Sequence, residues 1–254
     1  MADPATDKKG AKEDWRETHA EDSEWLPATD EEFDRVEALV RETEGWELHK
    51  THDTCQVYLK KTDMSKALCL KVTSDKLFEH VRPEVLFDVL EDPDYRHVWD
   101  ESCIECTSLV RIDARNEVNY YSAHCPAPLS NRDWCNRFGA TIRRVDGEEA
   151  PKYILFNRSV LYPPCPPKKG FERATSFVTA YFVEPLHPAD APETTGSRIT
   201  YITHNDWNGW IPSSIVNMCM KSMIPSVLKQ LLKACLAYPE WKAQHNPDDK
   251  PWLK

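Results

Sequence analysis

From Ile104 to His204 the chain alternates apolar and polar residues in six successive segments, and a single long helical stretch follows them. The segments are CIECTSLVRI, EVNYYSAH, DWCNRFGATIRRV, KYILFNRSV, TSFVTAYFV and SRITYITHN. A period of two marks strands with one buried face, so this run commits most of the chain to one sheet. Proline-rich breaks, CPAPLS at 125–130 and YPPCPPKKG at 162–170, separate several strands. Proline cannot donate to a sheet ladder and so collects in the loops. Pro212 then opens a helix that keeps Ile215, Met218, Cys219, Met223, Val227, Leu228, Leu231, Leu232 and Cys235 on one face. Pro225 inside it is expected to produce a kink, because proline removes a backbone bond and crowds the preceding turn.

Upstream, Thr29-Asp-Glu-Glu32 is a capping box that starts a helix with Phe33, Val36 and Val40 at helical spacing. Three strand-like stretches follow, from Trp46, Gln56 and Ala67. Arg82 to Leu90 reads as a helix with Pro83 in its first turn, and a second short helix follows Asp92-Pro93. The order is helix, three strands, two helices, six strands, long helix. The economical arrangement is α+β: one curved antiparallel sheet gripping the C-terminal helix. Residues 1–28, charged and poor in aliphatics, are expected to be a disordered acidic leader, with one ordered domain over 29–254.

The net charge is −10, but residues 1–34 hold twelve acids against four bases, so the remainder carries only −2. A near-neutral body without a basic stripe argues against nucleic acid as a partner. Nine cysteines, odd in number and irregular in spacing, together with the polar start MADPATDKKG, point to free thiols in a reducing, cytoplasmic setting. Cys103-Ile-Glu-Cys106 has no second pair to complete a zinc site. No apolar run approaches the ~20 residues of a membrane span, so a soluble protein is expected.

Catalytic signatures are missing. There is no GxSxG, no glycine-rich phosphate loop and no HExxH, and seven glycines leave little room for a nucleotide loop. His97, His124 and His204 are scattered, and His124-Cys125 runs straight into Pro126 with no orienting carboxylate. The reading is a binding protein with no catalytic residues, no metal and no cofactor.

One stretch stands out, DPDYRHVWDESC from Asp92 to Cys103. Arg96 and Asp100 sit four residues apart between Tyr95 and Trp99. A solvated pair at this spacing is common and contributes only ~0.3–0.5 kcal/mol. Inside a cavity, the same pair keeps guanidinium donors to spare for a ligand anion. Tyr121, Trp134 and Tyr181, on three different strands, read either as ordinary core or as an aromatic pocket for a quaternary ammonium.

Three quoted segments carry a family resemblance: Asp94-Tyr-Arg-His-Val-Trp-Asp100; Tyr120-Tyr121 with Cys125-Pro-Ala-Pro-Leu-Ser-Asn-Arg-Asp133; and Cys235-Leu-Ala-Tyr-Pro-Glu-Trp-Lys242 with Lys250-Pro-Trp-Leu253. From about residue 30 to the end the chain resembles the START lipid-transfer domains, in their phosphatidylcholine-transfer branch. The resemblance implies the helix-grip fold with an internal tunnel for one phospholipid, phosphatidylcholine or phosphatidylethanolamine. It implies that Arg96 meets the lipid phosphate with Asp100 as its partner, and that Tyr121, Trp134 and Tyr181 surround the choline. Leu90 and Ala123 depart from the branch, where a tyrosine and a valine stand, and Trp134 replaces a tyrosine. The resemblance matches the C-terminal helix and the loop with Pro128 and Leu129 to the elements that move for a lipid to enter. Met218, Met220 and Met223 on that helix read either as plain core or as a lid surface that meets acyl chains and membrane. Asn131, Arg132 and Asp133 are expected to fix that loop rather than hold ligand. The expected function is a monomeric shuttle that touches membranes transiently. The alternatives are a lipid sensor acting through a protein partner, a carrier of sterol or ceramide, and a hydrolase or isomerase in the same fold.

Overall fold

The computed structural model describes residues 26–127, 129–144, 151–187, 195–209 and 212–254, with the backbone alone at positions 213, 216, 217 and 219–225. The expected leader, 1–28, falls almost wholly outside the described residues. Helix α1, Asp30–Arg41, starts at the capping box: Glu32 N–H donates to Thr29 Oγ1 at 3.3 Å and Thr29 N–H to Glu32 Oε2 at 3.0 Å. Strands β1 (Glu47–Thr51), β2 (Gln56–Lys60) and β3 (Cys69–Ser74) follow, then α2 (Pro83–Glu91) and α3 (Pro93–Trp99). Strands β4 (Cys103–Arg111), β5 (Asn116–Ala123), β6 (Arg132–Arg143), β7 (Lys152–Ser159), β8 (Glu172–Arg173), β9 (Thr175–Leu186) and β10 (Gly196–Asp206) precede α4 (Ser213–Gln244). A 3₁₀ turn, Pro251–Leu253, closes the chain. The two-residue β8 and this last turn are too short to leave a periodic trace in the sequence. The α4 helix runs unbroken through position 225.

The strands form one open sheet in the order β1-β2-β3-β10-β9-β7-β6-β5-β4, antiparallel throughout except where β8 lies parallel to β6. Helix α1 covers one face: Phe33, Val36 and Val40 pack on Ile154, Phe156 and Phe182 of β7 and β9. The other face wraps α4, whose Leu228, Leu231, Cys235 and Tyr238 share a core with Leu86 and Phe87 of α2 and Tyr95 of α3. Each fully buried leucine or phenylalanine there contributes ~1.5–3 kcal/mol. Tight turns fix the ends. A Cβ at Gly196 would lie 1.8 Å from the Glu79 carbonyl oxygen, so only glycine lets β10 start beside the segment that leads into α2.

Two carboxylates on the α2–α3 corner hold the C-terminal region. Asp92 Oδ1 accepts from the N–H groups of Asp94 and Tyr95 and so caps α3, while its Oδ2 accepts from Tyr238 Oη and Lys242 Nζ, both at 2.9 Å. Asp88 accepts from Trp252 Nε1 at 2.8 Å and Lys250 Nζ at 2.5 Å.

The Asn131-Arg132-Asp133 group makes hydrogen bonds to the loop and to neighbouring backbone. Asn131 Oδ1 accepts from Cys125 N–H. The fully buried Arg132 donates to the carbonyls of Ser130, Trp207 and Asn208, and Asp133 pairs with Arg173. Cys103 and Cys106 are free thiols on β4, the strand at one end of the sheet order.

Candidate functional site

Proline at position 93 and the Asp92 cap start α3, and seven residues are enough to separate its faces. Tyr95 and Trp99 turn into the core, while Arg96 and Asp100 turn toward a cavity of about 240 Å³ between the sheet and the helices. Arg96 Nε donates to Asp100 Oδ2 at 2.9 Å. The same carboxylate accepts from Tyr121 Oη at 2.9 Å, from Ser102 Oγ at 2.7 Å and from Ser102 N–H at 3.2 Å. The guanidinium carbon lies 4.7 Å from the Trp99 ring centre and 5.5 Å from that of Tyr121.

The electrostatics keep the pair ionised. Burial works against the Arg96 charge, but the Asp100 carboxylate, joined by Tyr121, Tyr181 and Cys106, more than offsets it and holds the guanidinium well above its ordinary pKa. Burial likewise pushes Asp100 up, and Arg96 with the Ser102 and Tyr121 hydrogen bonds brings it below the usual carboxylate range. Burial raises the phenols of Tyr121, Tyr181 and Tyr201, so all three stay neutral donors. Only the Nε edge of Arg96 is committed to Asp100. The rest of its planar fork can meet an anion, the geometry a phosphate favours.

Aromatic rings line the same cavity. Tyr121 and Trp134 are cross-strand partners on β5 and β6 with ring centres 5.8 Å apart. Trp207 stands edge-on to Trp134 at 5.7 Å, and Trp134 Nε1 donates to Asn205 Oδ1 at 3.2 Å. Tyr181 of β9 pairs with Tyr201 of β10, rings 4.8 Å apart.

The cavity therefore brings together Arg96, Asp100, Tyr121, Trp134 and Tyr181, with Leu90 from the last turn of α2, Ala123 from the end of β5 and Leu129 from the loop. Met218 is 64% exposed on the outside of α4. Pro128 and the side chains of Met220 and Met223 lie outside the described residues. The sequence reading missed Tyr201, Thr203, Asn205 and Trp207, which also line the cavity. Alternation puts Tyr201, Thr203 and Asn205 on one face of β10, with Trp207 just past its end, but alternation alone does not say which face is enclosed. His204, between them, points the other way and touches Thr62 Oγ1 at 3.3 Å. Among the described residues, no group of three or more His, Cys, Asp or Glu side chains is placed to hold a metal ion.

A family model for the START domain matches residues 24–242. The chain belongs to the START domain family. Human START domain-containing protein 10 is 34% identical over 224 residues, covering 88% of this chain and 72% of that protein. Human phosphatidylcholine transfer protein is 27% identical over 201 residues, covering 79% of this chain and 84% of its own length. The crystal structure of human STARD10 superimposes with a TM-score of 0.77 at 32% identity, covering 90% of this START chain and 88% of that one. Human StAR-related lipid transfer protein 5, at 21% identity and a TM-score of 0.68, shares the fold. The curved antiparallel sheet around a long C-terminal helix is thus the START fold, and no described helix is long and apolar enough to cross a membrane.

Proposed function

We propose that this START domain binds one phospholipid, phosphatidylcholine or phosphatidylethanolamine, and carries it between membranes without altering it. The carrying observation is the Arg96–Asp100 pair beside the aromatic wall of one cavity. In this reading the Arg96 fork meets the lipid phosphate, Asp100 offsets its charge in the empty protein, and Tyr121, Trp134 and Tyr181 face the headgroup nitrogen. A quaternary ammonium over such rings gains ~1–2 kcal/mol per desolvated contact. Kinship with phosphatidylcholine transfer protein supports the same ligand class.

In this reading, loading two acyl chains includes an outward movement of the α4 N-terminal half and of the loop with Pro128 and Leu129. Exposed Met218 meets the membrane in that step. The protein works as a monomer from the cytoplasm and touches the bilayer only in passing. Burying the chains is worth ~0.8 kcal/mol per CH₂ against water but almost nothing against a bilayer, which keeps exchange reversible.

The test is native mass spectrometry of the purified protein with extraction of its lipid, followed by a vesicle-to-vesicle transfer assay. One diacyl phospholipid per chain and faster exchange between vesicles support the reading. Apo protein after incubation with phospholipid vesicles overturns it, and binding without faster exchange leaves a lipid sensor in its place.

A further inference from the structure

The cavity is polar at a second place that the headgroup reading does not use. Thr203, Thr179, Asn157, Phe138, Glu117 and Arg111 are successive cross-strand partners across six strands, from β10 to β4, and all line the cavity. Five of the six carry polar groups, in a wall that acyl chains alone would leave apolar. At the β4 end, Arg111 Nη2 lies 3.0 Å from Glu117 Oε2, and Asn119 Nδ2 donates to Glu117 Oε1 at 3.1 Å. Glu91, the last residue of α2, lines the cavity beside them and is only 9% exposed. Its Oε1 has no hydrogen-bond partner among the described residues. Burial, reinforced by the charge of Glu117, pushes the Glu91 carboxyl up to about 8, so near neutral pH it carries a proton it can donate.

An unpartnered buried carboxyl group is costly and persists where something meets it. Glu117 lies four residues along β5 from Tyr121, roughly 13 Å from the Arg96–Asp100 end at about 3.3 Å per residue. A phospholipid whose phosphate sits at Arg96 reaches that depth with an acyl chain. The polar group needed there must both donate, to Glu117 or Glu91, and accept, from Arg111 or the Glu91 proton. A hydroxyl does both.

We propose that Glu91, Arg111 and Glu117 form a second polar subsite that takes a hydroxyl carried part-way along one acyl chain, so that the favoured cargo is a hydroxylated phospholipid. The inference rests on the phospholipid reading above. A plain chain leaves the Glu91 oxygen without a partner. A mid-chain hydroxyl supplies one and adds a charge-assisted bond with the Arg111–Glu117 pair.

The full chain is incubated with vesicles that contain equal amounts of two phosphatidylcholines of the same chain length. One carries a mid-chain hydroxyl on its sn-2 chain and the other a plain chain, and bound lipid is counted by native mass spectrometry. Wild type is expected to favour the hydroxylated lipid by about tenfold, the scale of one charge-assisted hydrogen bond. Glu91→Leu is expected to abolish the preference while loading the plain lipid at least as well. Arg96→Ala is expected to weaken both lipids alike and leave the ratio unchanged. Should Glu91→Leu fail to fold, Glu117→Gln serves in its place and is expected to lower the ratio. Normal loading of both lipids at equal ratio in wild type overturns the second subsite and spares the headgroup site. A wild-type preference that survives in the folded variant also overturns it. Loading of neither lipid overturns the phospholipid reading and this inference with it.

Discussion

Asp100 accepts bonds from Arg96, Tyr121 and Ser102, so replacing Arg96 does not strand it. Arg96→Ala is therefore expected to leave a folded protein that has lost its anion receiver. Phospholipid loading should fall by about tenfold to a hundredfold, the scale of a charge-assisted bond to phosphate. Arg96→Lys keeps the charge but not the fork and should fall between the two. Loading of Arg96→Ala equal to wild type, measured by native mass spectrometry, removes the phosphate role. His204 makes the pH prediction. Its burial lowers the imidazole pKa from 6.5 to about 4, so the unfolded chain binds the extra proton first. The stability this histidine contributes is complete above pH 6.5 and is lost as pH falls from 6.5 to 4, by on the order of 1 kcal/mol per pH unit. His204→Asn should flatten the urea midpoint over that window. At this scale Arg96, Asp100 and the three aromatics were readable because charge and ring size mark them. Thr179, Thr203 and Asn205 were not, since a polar residue on a strand reads equally as a solvated position until the sheet shows which face is enclosed.

Among the elements, α3 depends on its neighbours. Seven residues form no stable helix alone, and Asp92 holds this one by capping its start and tying it to Tyr238 and Lys242 on α4. Asp92→Ala leaves the buried Lys242 ammonium without its carboxylate. The expected loss is ~3–5 kcal/mol in urea unfolding, the penalty for one stranded partner of a buried pair. A loss under about 1 kcal/mol would mean that water reaches Lys242 and that the tie is ornamental. The sheet strands and long helices were legible from period alone, and the capping box placed the start of α1 to the residue. The ties from Asp88 to Lys250 and Trp252 were not legible, because they join residues far apart in sequence, and no periodicity reports such a meeting.

For the whole molecule, a ligand that binds only the folded chain stabilises it with the logarithm of its excess over Kd. A hundredfold excess over Kd adds about 2.7 kcal/mol, which for a domain of this size raises Tm by roughly 5–10 °C. Loading with phosphatidylcholine vesicles should produce that rise in wild type and little of it in Arg96→Ala, by differential scanning fluorimetry. The antiparallel sheet around a C-terminal helix was legible because the order of elements left few other ways to bury them. The strand order itself was not, since β3 pairs with β10 across more than a hundred residues of chain.

The C-terminal end of α4 is pinned by Tyr238, Lys242 and the turn that seats Trp252, while the helix begins far away at Ser213. The core already holds the helix at Leu228, and from Ser213 to Leu228 the axis runs roughly 22 Å at about 1.5 Å per residue. In the loading movement proposed above, the stretch before Leu228 is a lever whose fulcrum is the buried turn of Leu228 and Leu231. A tilt of about 15° about that turn carries the Ser213 end roughly 6 Å, more than one turn of helix, while the atoms at the fulcrum scarcely shift. A doorway wide enough to matter can thus swing on a hinge whose own bonds stay closed.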